Sequence, residues 1–302
     1  VNNNVSALNG ESSGMTSANL VLTDLTRNLP YDSYSFNFDG VNDYIDCGND
    51  SSLEITTNFT ISAWVNLNTM TGYRRIIGKA NSDNSKANYG LGLFQGYKPG
   101  VIANATGSWF TNYSANALST GVWHHLVGIY DGSNFILYVN GTLDNSTSVS
   151  GFNIATAASA TSGDSLLIGQ IPSGAENFNG KISNVSLFNE ALTSTEVMKL
   201  YLNGMPQDLS TFTPAPIAWW TLGSNSFFNG TNFICKDLTG SNDGTSANAG
   251  VDALQGNTPR SEANGTGTNM DIPTNLEGTT KYSSNNSWSI NMSNTARVQD
   301  TP

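Results

Sequence analysis

Residues 122–145 read VWHHLVGIYDGSNFILYVNGTLDN, and this stretch decides the fold class. In residues 123–130, alternate side chains fall on opposite faces and both faces carry apolar residues, which is typical of a strand inside a β-sandwich. Asp131-Gly132 and Asn140-Gly141 supply residues that tolerate the positive φ of tight hairpin turns. Three short strands joined by two such turns predict an antiparallel meander.

Further strand candidates recur at a spacing of roughly ten residues, which is the signature of an all-β sandwich. They are residues 34–38, 59–67, 74–79, 89–94 and 109–113. One helix is predicted, because Thr193 and Glu196 form a T-x-x-E capping box ahead of an apolar stripe. Gly204 stands where a glycine would end that helix.

Four segments together resemble the laminin-G-like domains of the concanavalin A-like jelly-roll superfamily. They are the meander, SFNFDGVNDYIDCG at 35–48, FTISAWVNL at 59–67 and FNGKISNVSLFNEALTSTEVMKLYLNG at 178–204. They follow the family's order and cover residues 31–205. The resemblance implies an antiparallel jelly-roll sandwich with one short helix. It also implies a module that binds a ligand, because only some relatives hydrolyse glycans and a fold alone decides neither role.

The chain divides into four parts by composition and repetition. We expect an extended lead-in at 1–30, the sandwich at 31–205, a linker at 206–216 and a partial second repeat at 217–302. IAWWTL and KDLTGSNDGT, within the last part, resemble the segment that normally precedes the family's opening strand. VDALQG and WSINM echo the earlier VSALNG and YSFNF. Two alternatives stay open: the last part completes its own sandwich, or it pairs with a second copy.

Charge and hydropathy limit the partners. The 302-residue chain has a formal net charge of -11 with 12 Lys and Arg, so we expect no nucleic-acid partner. No apolar run approaches the length of a membrane span, so we expect no membrane insertion. The sequence begins at Val1 without a signal-like segment, which predicts a processed or excised product.

Two cysteines, Cys47 and Cys235, leave two alternatives open. A disulfide between them would join the sandwich to the downstream segment in an oxidising compartment. Alternatively, both are buried free thiols that behave as small hydrophobic residues.

The turn after the first strand of the sandwich is a candidate calcium site. Calcium takes six to eight oxygen ligands, often including backbone carbonyls, and this loop is rich in Asp, Asn and Gly. The candidate ligands are Asp39, Asn42, Asp43, Asp46 and Asp50. The same residues would also make a good turn by accepting hydrogen bonds from backbone groups. The resemblance also implies a calcium site at the rim of the sandwich, as in many laminin-G-like domains, and both interpretations of the loop stay open.

The middle of the sandwich supplies a candidate glycan site, since sugar rings stack on aromatic faces beside polar partners. The candidates are Tyr73, Arg74, Tyr89, Phe94, Tyr97, Trp109 and Tyr113. The competing interpretation places most of them in the core or in edge strands.

No catalytic residues are predicted. A retaining glycosidase needs two carboxylates about 5 Å apart. The seven glutamates are isolated, and no strand carries the alternating acids that would provide such a pair. The two histidines, His124 and His125, are adjacent and therefore point to opposite faces of a strand, as expected of packing residues.

The segment DYIDCGNDSS at 43–52, the capped helix, the two tryptophans after the linker and the incomplete second repeat together resemble structural proteins of marine bacteriophages. The resemblance implies a non-enzymatic capsid-decoration or fibre module at an extracellular or virion surface. Its partners would be surface glycans, neighbouring virion proteins or other copies of itself. The alternatives are a bacterial cell-surface adhesin, a filament subunit without a ligand and a glycoside hydrolase of the same superfamily.

Overall fold

A computed structural model gives the architecture of the protein. It describes residues 10–13, 20–21, 34–69, 72–80, 87–94, 96–105, 108–152, 154, 164–202, 204–256, 259, 289–290 and 297–300. The chain forms two compact units, one from residues 1–29 with 271–302 and the other from residues 30–270.

The described residues are mostly strands, with one α-helix and a single 3₁₀ turn at Ser51–Leu53. The smaller unit contains β1 (Gly10–Ser13), β2 (Leu20–Val21), β20 (Ser289–Ile290) and β21 (Arg297–Asp300). The larger unit contains β3 (Ser35–Asp39), β4 (Tyr44–Asp46), β5 (Phe59–Leu67), β6 (Arg74–Ala80), β7 (Ala87–Phe94), β8 (Lys98–Ala105), β9 (Ser108–Tyr113), β10 (Trp123–Tyr130), β11 (Asn134–Val139), β12 (Thr142–Ser148), β13 (Leu166–Ile168), β14 (Asn179–Phe188), α1 (Ser194–Tyr201), β15 (Ala218–Trp220), β16 (Ser226–Phe228), β17 (Phe233–Cys235), β18 (Gly244–Ala247) and β19 (Leu254–Gln255).

Two antiparallel sheets build the larger unit. The first sheet has the order β12-β11-β10-β5-β14-β3-β19, with β15 also paired to β14. The second sheet has the order β16-β17-β18-β4-β13-β6-β7-β8-β9. Their facing surfaces enclose one core of aromatic and aliphatic side chains. The predicted all-β jelly-roll sandwich is therefore confirmed. In the smaller unit, β1 pairs with β21 and β2 pairs with β20.

The predicted meander is β10, β11 and β12. Its turns use Gly132 and Gly141 with φ of 94° and 74°, and Asn140 with φ of 51°. In β10, Leu126 and Tyr130 face the core between the sheets, whereas Val127 and Ile129 pack on the outer side of the first sheet. Both faces of the strand are buried, as the apolar residues on both faces predicted.

Helix α1 covers part of that outer side. Thr193 and Glu196 form the predicted capping box, with the Thr193 N–H donating to Glu196 Oε2 over 2.7 Å. The buried residues Val197 and Leu200 face the sheet. The left-handed residue at the helix end is Leu202, with φ of 34°, so the helix ends before the predicted Gly204.

Residues after the linker at 206–216 join the same two sheets. β15 pairs with β14, β18 with β4, and β19 with β3, all within one chain. Trp220 points into the main core and its Nε1 donates to the Asn242 carbonyl over 2.7 Å, while Trp219 packs on the outer side of the first sheet. Strands from both sides of the linker therefore share one sandwich.

The two cysteines flank Gly244 on the second sheet. Cys235 on β17 lies opposite Gly244 on β18, and a Cβ placed on Gly244 would be 3.3 Å from Cys47 Sγ. Two strand spacings separate the Cα atoms by about 10 Å, which is too far for a disulfide. Both thiols are buried and free, the second of the two alternatives, and burial raises the pKa of Cys235 to about 12.

Candidate functional site

An aromatic patch lies on the outer face of the second sheet, at the end where β6, β7, β8 and β9 meet. We define it as Tyr73, Phe94 and Tyr113. The Tyr73 and Phe94 rings are 6.3 Å apart. Tyr113 lies opposite Gly100, and a Cβ on Gly100 would touch both Tyr113 and Phe94 at about 3 Å. Tyr73 is 49% exposed and Tyr113 36%, whereas Phe94 is 7% exposed and supports them from below.

Arg75 lies flat on the sheet beside this patch. Its guanidinium carbon is 5.6 Å from the centre of the Phe94 ring, a cation–π distance. Glycines at neighbouring positions make room for the side chain: a Cβ on Gly78 would be 3.2 Å from Arg75 Cδ, and one on Gly90 only 2.5 Å from Nη1. The outer face of the sheet has no side chains at Gly78 and Gly90, and the Arg75 side chain packs on the backbone there.

Glu176 holds that arginine in place. Arg75 Nε donates to Glu176 Oε2 over 3.1 Å, and Arg75 Nη2 lies 2.9 Å from the same oxygen in an ion pair. The Glu176 carbonyl also accepts the Arg75 N–H over 2.7 Å. Arg75 is 2% exposed, whereas the Glu176 side chain is 16% exposed. Among the residues that the structure describes, none donates to Glu176 Oε1, so this oxygen can accept a hydrogen bond from a ligand.

The remaining predicted aromatic candidates lie elsewhere on the strands. The prediction of Tyr89 as a glycan-binding residue is wrong, because its side chain is fully buried and shares the core face of β7 with Leu91 and Leu93. Its hydroxyl donates to the Leu53 carbonyl over 2.7 Å. Tyr97 is in the β7–β8 turn with φ of 65°. Trp109 lies in β9 opposite Asn104, at a distance along the strand from Tyr113.

The predicted arginine was one residue away from the one that meets the patch. Arg74 lies opposite Leu93, a core residue, whereas Arg75 lies opposite Gly92 and shares its outer face with Phe94. Gly92 lies two residues before Phe94 and therefore on the same face of β7, and Arg75 is its partner on β6. With this register known, alternation would have selected Arg75. Glu176 carried no local signal, because it reaches Arg75 from a loop about a hundred residues away.

The carboxylates among the five candidate calcium ligands accept hydrogen bonds from backbone N–H groups of their own turns. Asp39 accepts from the N–H groups of Val41 and Asn42, and Asp43 accepts from the Asp39 N–H over 3.0 Å. Burial is the main reason that the pKa of Asp43 is raised; the hydrogen bond from the Asp39 N–H opposes this shift, and the charges of Asp39 and Asp252 add to it. Asp46 and Asp50 accept from N–H groups of their own turns. In the part of the chain that is described, no group of three or more His, Cys, Asp or Glu residues could hold a metal ion. The turn interpretation explains these contacts, and calcium binding stays a prediction.

The two histidines lie on opposite faces of β10, as predicted. His125 Nε2 is 2.8 Å from Ser62 Oγ, and its ring is 4.8 Å from that of Trp64 under helix α1. Ser62 and His125 are 3% and 1% exposed, so no substrate reaches this pair in the folded state. His124 Nε2 is 3.1 Å from the Ser119 carbonyl. Both rings have packing roles.

Comparisons with known proteins agree with this architecture. A protein from Bacteroides ovatus solved as a candidate carbohydrate-binding protein superposes with a TM-score of 0.57 and 19% identity, over 77% of this chain and 62% of that one. The CBM40 of the Ruminococcus gnavus IT-sialidase, bound to α2,3-sialyllactose, gives a TM-score of 0.46 and 15% identity over 55% of this chain and 96% of its own. A pentraxin from Limulus polyphemus gives 0.44 and 14% over 69% and 94%. At these identities the likeness concerns the fold, and the chain spans less than two thirds of the Bacteroides protein.

No curated protein sequence matches the chain. None of the described helices is long and apolar enough to cross a membrane. The family model for laminin-G-type domains, described as the concanavalin A-like lectin/glucanases superfamily, matches residues 39–198, more than half of the sequence. The matched residues run from the end of β3 into α1, across most strands of both sheets. The chain therefore belongs to the laminin-G-type family of the concanavalin A-like lectin/glucanase superfamily.

Proposed function

We propose that the protein is a non-enzymatic carbohydrate-binding module and that its ligand lies on the aromatic patch. The observation that carries the proposal is the exposed Tyr73 ring, supported by Phe94, beside the Arg75–Glu176 pair. Binding sites of this kind combine an apolar face with a few oriented polar groups. A sugar ring presents a C–H face for Tyr73 and hydroxyl groups for hydrogen bonding.

The polar part of the site is preorganised. The hydrogen bond from Arg75 Nε and the ion pair with Nη2 fix the Glu176 carboxylate, so that its Oε1 can accept a hydrogen bond from a ligand hydroxyl without a further loss of side-chain freedom. Lys98 lies opposite Phe94 in the β7–β8 register and supplies a donor on the same face. A ligand hydroxyl can therefore donate to Glu176, while another ligand oxygen accepts from Lys98.

We further propose that the module works on an outer surface, as part of a virion appendage, with copies of itself or neighbouring virion proteins as partners. The support is the sequence resemblance to phage structural proteins, together with the repeated VSALNG and VDALQG segments. A cell-surface adhesin would use the same patch. Light scattering on the purified chain separates a monomeric module from a self-associating subunit.

The binding proposal is tested on a glycan array with the whole chain, followed by titration calorimetry on the glycans retained. Tyr73→Ala removes the exposed ring, and we expect binding to weaken about 5-fold, since an aromatic contact contributes about 1 kcal/mol. Glu176→Gln removes the charged acceptor and should also weaken binding. Phe227→Ala is the matched control, because Phe227 is 50% exposed but lies on β16, at the other edge of the same sheet.

Two results would count against the proposal. One is an array without any retained glycan while the protein is folded. The other is equal weakening by Tyr73→Ala and Phe227→Ala, which would separate binding from the patch.

A further inference from the structure

A second polar site lies on the other sheet, beneath helix α1, where β14 is irregular. The register between β14 and β5 shifts between Ser183 and Ser186. Asn184, inside this bulge, has a left-handed φ of 47°, and its N–H donates to the Thr221 carbonyl over 2.9 Å instead of to β5. Bulges leave part of a ladder unpaired and redirect a side chain. At this bulge, which lies below helix α1, the pairing of β14 with β5 is interrupted.

The bulge borders a cavity of about 10 Å³. Polar and apolar side chains line it: Ser62, Trp64, His125, Asn184, Ser186, Leu200, Gln207 and Leu209. They come from β5, β10, β14, helix α1 and the start of the linker. A cavity needs about 10–15 Å³ to hold one water molecule, so this one has room for a single molecule of that size.

Three buried polar atoms of this lining have no hydrogen-bond partner among the described residues. They are His125 Nδ1, Asn184 Oδ1 and Gln207 Nε2. His125 uses its other ring nitrogen for Ser62, and Asn184 uses its amide nitrogen for the Ser183 hydroxyl over 2.9 Å. A buried polar atom without a hydrogen-bond partner destabilises the folded state, and native structures rarely leave three around one cavity.

We propose that this cavity binds one water molecule, held by His125, Asn184 and Gln207. Asn184 Oδ1 can only accept, Gln207 Nε2 can only donate, and His125 Nδ1 does either according to its tautomer. Water has two donors and two acceptors, so it satisfies all three whichever tautomer is present. None of the eight lining residues carries a carboxylate, and burial lowers the pKa of His125 to about 3, so the site does not suit a cation.

The bound water joins three segments that are distant in sequence. His125 belongs to β10, Asn184 to the bulge of β14 and Gln207 to the chain just after helix α1. Through its hydrogen bonds, the water molecule therefore connects the beginning of the linker to the sheet and bridges the interrupted pairing of β14. This role is independent of the glycan site, which lies on the other sheet.

A crystal structure at high resolution tests the proposal, together with ¹⁷O water relaxation dispersion on the whole chain. We expect one density peak within about 3.2 Å of all three atoms. Gln207→Leu should remove that peak and reduce the count of long-lived waters by one. Asp208→Ala, an exposed neighbour, should leave both unchanged.

Either of two results would overturn the proposal. The first is a direct hydrogen bond between His125 Nδ1 and Asn184 Oδ1 with no density between them. The second is a water count that Gln207→Leu leaves unchanged in a folded protein with the wild-type arrangement of His125. If Gln207→Leu does not fold, the crystal structure of the wild-type chain decides the matter alone.

Discussion

Trp220→Ala tests whether the segment after the linker is an integral part of the sandwich. Trp220 is fully buried in the main core, and its Nε1 donates to the Asn242 carbonyl over 2.7 Å. Truncating a buried tryptophan costs about 3–5 kcal/mol, and the carbonyl left without a donor adds about 1 kcal/mol. We therefore expect a loss of about 4–6 kcal/mol in the free energy of unfolding. That loss would consume much of the 5–15 kcal/mol typical of a domain.

Urea unfolding followed by far-UV circular dichroism measures this loss without relying on tryptophan fluorescence. Trp220→Phe keeps most of the apolar surface and should lose about 1–2 kcal/mol. Phe227→Ala, in the same segment but half exposed, should lose less than about 1 kcal/mol. If Trp220→Ala and Phe227→Ala cost the same small amount, the segment does not pack in the core as described and the reasoning fails.

Four further predictions concern particular groups. Burial lowers the pKa of His125 from 6.5 to about 3, so between these pH values the unfolded protein binds more protons than the folded protein. The free energy of unfolding should therefore be unaffected above pH 6.5 and fall by up to about 1.4 kcal/mol per pH unit below it. His125→Gln should flatten this part of an acid-unfolding profile. Gly128→Ala would place a Cβ 2.7 Å from Val101 Cβ and should cost about 1–3 kcal/mol in urea unfolding. Cys47 and Cys235 should resist a thiol reagent in the native protein and give two reactive thiols in denaturant; a single reactive thiol in the native state would contradict their burial. If the turn carboxylates bind calcium, calcium should raise the melting temperature and a chelator should reverse the increase; an unchanged melting temperature would leave the turn interpretation alone, in which Asp39 and Asp43 accept from local N–H groups.

The sequence predicted the elements that depend on short-range signals. The meander follows from alternation and two turn dipeptides, and the helix start follows from Thr193 and Glu196, which contact each other directly. These signals act over a few residues, so tertiary contacts do not have to be known. Burial of both faces of β10 was also readable, because apolar residues occupy both of them.

The site was less predictable because it depends on contacts between strands. Choosing Arg75 over Arg74 requires the register with β7, which the β-bulge after Arg75 makes hard to infer from β6 alone. Gly128 in the middle of a strand has no local explanation. It becomes understandable once Val101, on the facing sheet, is seen to approach its backbone. The cavity beneath helix α1 arises from the bulge at Asn184, which no residue pattern announces.

The linker at 206–216 lies between strands that belong to the same two sheets. Composition identifies a change in the chain, whereas the sandwich is defined by the order of strands in its sheets. β18 lies between β17 and β4, and β19 lies beside β3, so both occupy places next to the opening strands, about 200 residues earlier in the sequence. The sequence resemblance implies that the matching segment of other family members precedes their opening strand. Hydrogen bonds and core packing specify where a strand lies and in which direction it runs. They do not specify whether the strand comes from the N-terminal or the C-terminal part of the chain. The Trp219-Trp220 segment can therefore follow helix α1 and still close the sheets, provided that the linker reaches β14.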